Sequence, residues 1–141
     1  MTEHNDPKLK ALDRLVGTWK VSGAAAGTVT YRWMEGGHFL IQDVDLTQEG
    51  GTVKGTEFIG RKRPYGAEEP SQDVHSWYFD SDGSTLAYVY EVEGDTLTIW
   101  AHKKDSGAYY RGTFSADGAS VTGAWVYPGG GGYESNMTRV G

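Results

Sequence analysis

The stretch Thr85-Leu86-Ala87-Tyr88-Val89-Tyr90-Glu91-Val92-Glu93-Gly94-Asp95-Thr96-Leu97-Thr98-Ile99-Trp100-Ala101-His102-Lys103 reads as two short strands and the turn between them. Before the turn, Leu86, Tyr88 and Tyr90 share one face. After it, Leu97, Ile99 and Ala101 alternate with Thr98, Trp100 and His102. A period of two in short runs of β-branched and aromatic residues marks strands. Gly94-Asp95 supplies the positive φ that a tight hairpin needs. So short a connection has no room for a crossover, and the two strands are therefore antiparallel.

The same pattern extends in both directions. The strands expected are Gly17–Gly23, Thr28–Met34, His38–Leu46, Thr52–Arg61, Asp73–Phe79, Thr85–Val92, Thr96–Lys103, Ala108–Phe114, Ser120–Tyr127 and Tyr133–Val140. Gly36-Gly37, Gly50-Gly51, Asp82-Gly83, Ser106-Gly107, Asp117-Gly118 and the run Gly129 to Gly132 punctuate them. The 21 glycines in 141 residues are about twice the usual share of roughly 7%. Disordered segments lack aromatic and β-branched residues. Here Trp, Tyr, Phe, Val and Thr recur from Trp19 to Val140, so the glycines mark turns.

Two segments break the rhythm. Residues 6–16 read as a short helix: Asp6 caps it, Pro7 starts it, Leu9, Leu12, Leu15 and Val16 share a face, and Gly17 ends it. Its length suits a plug or lid. Residues 62–72, with Pro64 and Pro70, form the one long connection and the candidate flap. The basic residues Arg61, Lys62 and Arg63 are read as a solvated loop start balanced by Glu68 and Glu69, in preference to an anion site.

A meander of many short antiparallel strands must dispose of its edges, and closure does so fully. The expected fold is all-β: a single domain over 1–141, an antiparallel up-and-down β-barrel of about 8–10 strands with a short N-terminal helix. A two-sheet sandwich is the alternative, but its Greek-key crossings need longer connections. A barrel of this size holds side chains plus one small ligand.

Composition narrows the function classes. With no cysteine, disulfides, cysteine-ligated zinc and thiol nucleophiles are excluded. A net charge of -6 argues against nucleic acid as a partner. No apolar run approaches the roughly 20 residues of a membrane-spanning helix, so no membrane partner is expected. The segment MTEHNDPKLK is too polar for a signal peptide, which makes a cytoplasmic protein the expectation.

Leu15-Val16-Gly17-Thr18-Trp19, after a helix and opening the first strand, resembles the Gly-x-Trp signature of lipocalins and the wider calycin superfamily. In that family the Trp closes one end of the barrel and an Arg from the last strand packs over it. Gly17, Trp19 and Arg139 stand at the matching positions. A guanidinium over an indole is a cation–π pair. Lacking cysteine, the chain is similar to small cytoplasmic bacterial lipocalin-like proteins, and to nitrobindins in strand count. Nitrobindins hold haem through a histidine near the C-terminus. The last histidine here is His102, so no haem and no other cofactor is expected.

Five Trp and nine Tyr suggest a cavity walled by rings, suited to a small hydrophobic or aromatic molecule. The expected wall residues are His75, Trp77, Tyr88, Tyr90, Trp100, Tyr31 and Trp125. Among polar strand residues (Asp43, Glu57, His75, Glu91, His102 and Arg111), Glu57 and Glu91 are expected to face solvent. Trp77 and Phe79 beside His75 argue that its face is buried, and His75 with Asp43 is the candidate acid–base dyad. His38, His75 and His102 lack metal-ligand spacing and His4 lies in the polar leading segment, so no metal site is expected. No Gly-x-Ser-x-Gly elbow is present, and the Gly129 to Gly132 run precedes a strand, unlike a phosphate loop.

Three readings follow: a ligand-binding barrel; an isomerase, cyclase or decarboxylase using the same cavity by acid–base catalysis; and an interaction module with a filled barrel. A homodimer is compatible with each.

Overall fold

A computed structural model describes residues 6–141. His4 lies outside the described residues. Ten strands follow one another: β1 (Gly17–Gly23), β2 (Ala25–Trp33), β3 (Phe39–Gln48), β4 (Gly51–Arg61), β5 (Val74–Asp80), β6 (Thr85–Glu93), β7 (Thr96–Ala101), β8 (Tyr109–Phe114), β9 (Ser120–Val126) and β10 (Tyr133–Arg139). Each pairs antiparallel with its neighbours in sequence, and β1 pairs with β10 to close the barrel. The expected all-β, up-and-down barrel is what the chain forms. No helix among the described residues is long and apolar enough to cross a membrane.

The N-terminal helix is shorter than its apolar spacing predicts. One α-helical turn, α1 (Pro7–Lys10), passes into a 3-10 segment over Ala11–Leu15. The Asp6 carboxylate accepts from the Lys8 and Leu9 amides and caps it. So short a helix is held by burial and not by its own hydrogen bonds: Leu9, Leu12 and Leu15 are buried at one end of the barrel.

That end is packed solid by these leucines with Trp19, Leu40, Ile59, Phe114 and Val121. Trp19 is fully buried, and its Nε1 donates to the Leu15 carbonyl at 2.8 Å. The Arg139 guanidinium lies 4.3 Å over the Trp19 ring and donates to the Val16 and Arg14 carbonyls. Gly17, at φ 128°, makes this possible: a Cβ there would stand 2.5 Å from Arg139 Nη1. A side chain would displace the guanidinium or the backbone.

Because every connection reverses direction, turns alternate between the two ends. The long connection after β4 therefore sits at the plugged end. Lys8 donates to the Gln72 carbonyl, and Arg61 pairs with Asp6 and donates to the Ser71 and Gln72 carbonyls. The 62–72 segment thus lies beside the helix, at the end of the barrel opposite the open mouth.

Register fixes which side chains enter the barrel, since directly paired residues point to the same side. Trp19 pairs with Val29, Val29 with Val44, Val44 with Gly55 and Gly55 with Asp80. This row runs around the interior. On β5 it makes Val74, Ser76, Tyr78 and Asp80 the inner residues and places His75, Trp77 and Phe79 outside.

Candidate functional site

Above the plug the barrel encloses a cavity of about 530 Å³ that opens at the opposite end. The volume lies within the roughly 300–1,000 Å³ typical of small-molecule sites. Its lower wall is aliphatic, with Val21, Val29, Val44, Leu97, Ile99 and Met137. One side is aromatic. Trp125 packs against Tyr88 and Tyr110 at ring-centre distances of 6.0 and 5.5 Å and stacks on Tyr127 at 6.4 Å, with Tyr133 beyond. Toward the mouth stand Gln48, Asp80, Asp82 and Ser84.

Inward glycines give the rings room. A Cβ on Gly55 would come 2.6 Å from the Tyr78 hydroxyl, and one on Gly112 or Gly123 would come 2.6 or 2.8 Å from that of Tyr110. The rings lie across backbone that carries no side chain, which is how aromatic residues cover glycine in a sheet. Tyr110 then donates to the Ser135 carbonyl, and Tyr78 to Asp80 at 2.6 Å.

At the base stands Glu57. It pairs in register with Gln42 and Tyr78, both inward, and it is 4% exposed. Ser76 Oγ donates to Glu57 Oε2 at 2.5 Å, and Tyr90 OH donates to Oε1 at 2.7 Å. Beside them, Gln42 Nε2 donates to Tyr31 OH at 2.8 Å. Burial pushes the Glu57 carboxyl up to about 7, and the two hydroxyl donors offset only part of that rise. Burial, reinforced by the Glu57 charge, holds the Tyr31 and Tyr90 phenols well above their ordinary range, so both remain neutral. The arrangement offers a carboxyl group that changes charge near neutrality, in an aromatic chamber.

The expected wall residues divide. Tyr31, Tyr88, Tyr90 and Trp125 line the cavity together. His75, Trp77 and Trp100 do not: β5 and β7 turn these positions outward. Trp77 is covered by the edge of Phe39 on the outer surface. Trp100 lies under Lys104, 5.9 Å away, buried in an outer groove with Val89 and Glu91. The large apolar neighbours of His75 suggested a buried face, but they form an outer aromatic layer with Phe39 and Phe58.

Nor do His75 and Asp43 meet. Asp43 is on the outer face of β3, where it accepts from Thr56 and lies 4.0 Å from Arg32. Its row across the sheet reaches β5 at Phe79, four residues from His75, or about 13 Å along the strand. Burial and the Lys62 charge lower the His75 pKa, yet no dyad forms.

Glu57 is the residue whose placement the sequence reading reversed: expected in solvent, it is the buried polar centre. Glu91 does face out, paired with Lys104 at 3.1 Å. Among the described residues, no three His, Cys, Asp or Glu gather as a metal site would require. No protein-family model and no curated protein sequence matches the chain.

Proposed function

We propose that this protein binds a small hydrophobic or aromatic molecule inside its barrel, in the manner of lipocalins and other calycins. One observation carries the reading: a cavity of about 530 Å³, plugged at one end and open at the other, walled by Trp125 and a set of tyrosines. Ring faces and aliphatic side chains suit a planar or apolar body, and one buried polar group suffices to orient it. The Gly17–Trp19–Arg139 closure supports kinship with calycins. Trp125 reports the test directly. Titration with hydrophobic aromatic probes should change its fluorescence saturably, and Val53→Trp, which fills the upper cavity, should abolish binding while the protein still melts cooperatively. Failure of every probe to saturate, or equal binding by the filled variant, refutes the reading.

A second reading, acid–base catalysis in the same cavity, is favoured by Glu57 alone. Its pKa of about 7 is suited to a group that takes and returns a proton near neutral pH. His75 and Asp43 lend it nothing. The discriminating result is chemical change of a bound compound at a rate that Glu57→Gln abolishes.

A further inference from the structure

We propose that the cavity selects an apolar or aromatic cation, a molecule with a hydrocarbon or ring body and one positively charged nitrogen, which settles against Glu57. This rests on reading the cavity as a binding site and adds the charge of its occupant.

The first ground is the sign of the lining. Among the described residues, Glu57 at the base and Asp80 and Asp82 toward the mouth are its charged lining, and no Lys, Arg or His takes part. Four arginines of the barrel strands are turned away: Arg32 and Arg111 point outward, and Arg61 and Arg139 are bound at the plug. A low-dielectric chamber lined by one sign of charge concentrates ligands of the other sign. A carboxylate ligand would have to be buried beside Glu57 with no cation to offset it, which is strongly unfavourable.

The second ground is the open valence of Glu57. An ionised carboxylate offers about four acceptor positions. Ser76 takes one on Oε2 and Tyr90 takes one on Oε1. One position on each oxygen is left for a donor or cation arriving through the cavity.

The third ground is the wall. Ring faces carry negative potential and attract cations within about 6 Å. Tyr31 and Tyr90 stand at the level of Glu57, and Trp125 with Tyr88 and Tyr110 above it. A tail of apolar atoms then meets Val29, Val44 and Ile99.

The proposal carries a pH dependence. The titratable groups facing Glu57 are the phenols Tyr31 from β2, Tyr78 from β5, and Tyr88 and Tyr90 from β6, with Asp80 and Asp82 toward the mouth. All four phenols are raised above their ordinary range and stay neutral. Glu57 is therefore the group near the bound nitrogen that changes charge around neutrality. The cation needs it ionised, so affinity should rise with pH through the neutral range and then level off.

Three probes decide it by calorimetry on the whole chain: benzyltrimethylammonium, whose charge does not titrate; its uncharged carbon isostere neopentylbenzene; and phenylacetate. At pH 8 the cation should bind about tenfold more tightly than the isostere, with phenylacetate weakest. Between pH 8 and 5.5 that preference should shrink while the isostere holds constant. Glu57→Gln should lose the preference and keep the isostere. Should that variant not fold, the pH profile of the unaltered protein still decides. Isostere or phenylacetate binding as tight as the cation at pH 8 overturns the cation proposal and leaves the binding reading standing. Failure of all three to bind overturns both.

Discussion

Replacing Glu57 by Gln should make the protein more stable at alkaline pH and leave it nearly unchanged at acid pH. The carboxyl, at 4.5 in the unfolded chain, rises to about 7 in the folded one. A folded-state pKa above the unfolded value means that stability is full below about 4.5 and falls as pH climbs to about 7. Each tenfold change in proton affinity is worth 1.36 kcal/mol, so ionising Glu57 in place lowers folding stability by about 3 kcal/mol. Gln keeps an acceptor for one hydroxyl, and its amide can donate to the other, because Ser76 and Tyr90 hydroxyls accept as well as donate. For a chain of this length the stabilisation corresponds to roughly 6–12 °C in melting temperature. Thermal melts of both proteins from pH 4.5 to 9, taken as a difference, isolate this group, because every other titration cancels. The difference should be near zero at pH 4.5, grow through pH 5–7 and plateau above. A difference independent of pH refutes the burial of an ionisable Glu57 at the base of the cavity.

Arg139→Ala should destabilise by about 2–4 kcal/mol, read as a lower urea midpoint, because two charged-donor hydrogen bonds to the Arg14 and Val16 carbonyls and the contact with Trp19 are lost together. Arg139→Lys should recover less than half, since an ammonium cannot reproduce the planar fork. Asp6→Ala should cost about 1–2 kcal/mol at neutral pH by removing the helix cap and the Arg61 pair. Hydrogen bonding to Arg61 holds the Asp6 pKa below its ordinary value, so its stabilisation is present above about 3.8 and fades as pH falls further, and the two melting curves should converge in acid. Trp77→Phe and Trp100→Phe should leave probe affinity unchanged, whereas Trp125→Phe should remove the fluorescence response; lost affinity in the first two would contradict their outward placement.

The barrel itself was legible because each hairpin announces itself locally: alternation in Leu97-Thr98-Ile99, reversal at Gly94-Asp95. The inward face was not legible, for a physical reason. Both surfaces of this sheet are apolar, the outer one through Phe39, Phe58, Trp77 and Phe79, so hydrophobicity does not say which is buried. Parity must then be carried from Trp19 through each pairing, and a one-residue error in any turn inverts every later side chain. Alternation alone therefore favours His75 and Trp77 over Ser76 and Tyr78, which enter the barrel. One signal was available: if Trp19 is inside, the row Val29, Val44, Gly55 and Asp80 follows, and Glu57 is carried inward two residues beyond Gly55. The glycines serve two purposes. Gly94 and Gly118 make turns, but Gly55, Gly112 and Gly123 make space for tyrosine rings.

These features meet at one place. Ionising the buried Glu57 carboxyl lowers stability by about 3 kcal/mol in a fold that has no disulfide to reinforce it. An occupant that offsets the carboxylate charge lowers the Glu57 pKa and returns part of that stability, so binding and stability are linked through the same proton. At pH 8 a cation should therefore raise the melting temperature more than its uncharged isostere at equal free concentration, and in Glu57→Gln the two should raise it alike. Equal shifts in the unaltered protein would mean that the charge at the base of the cavity takes no part in recognition.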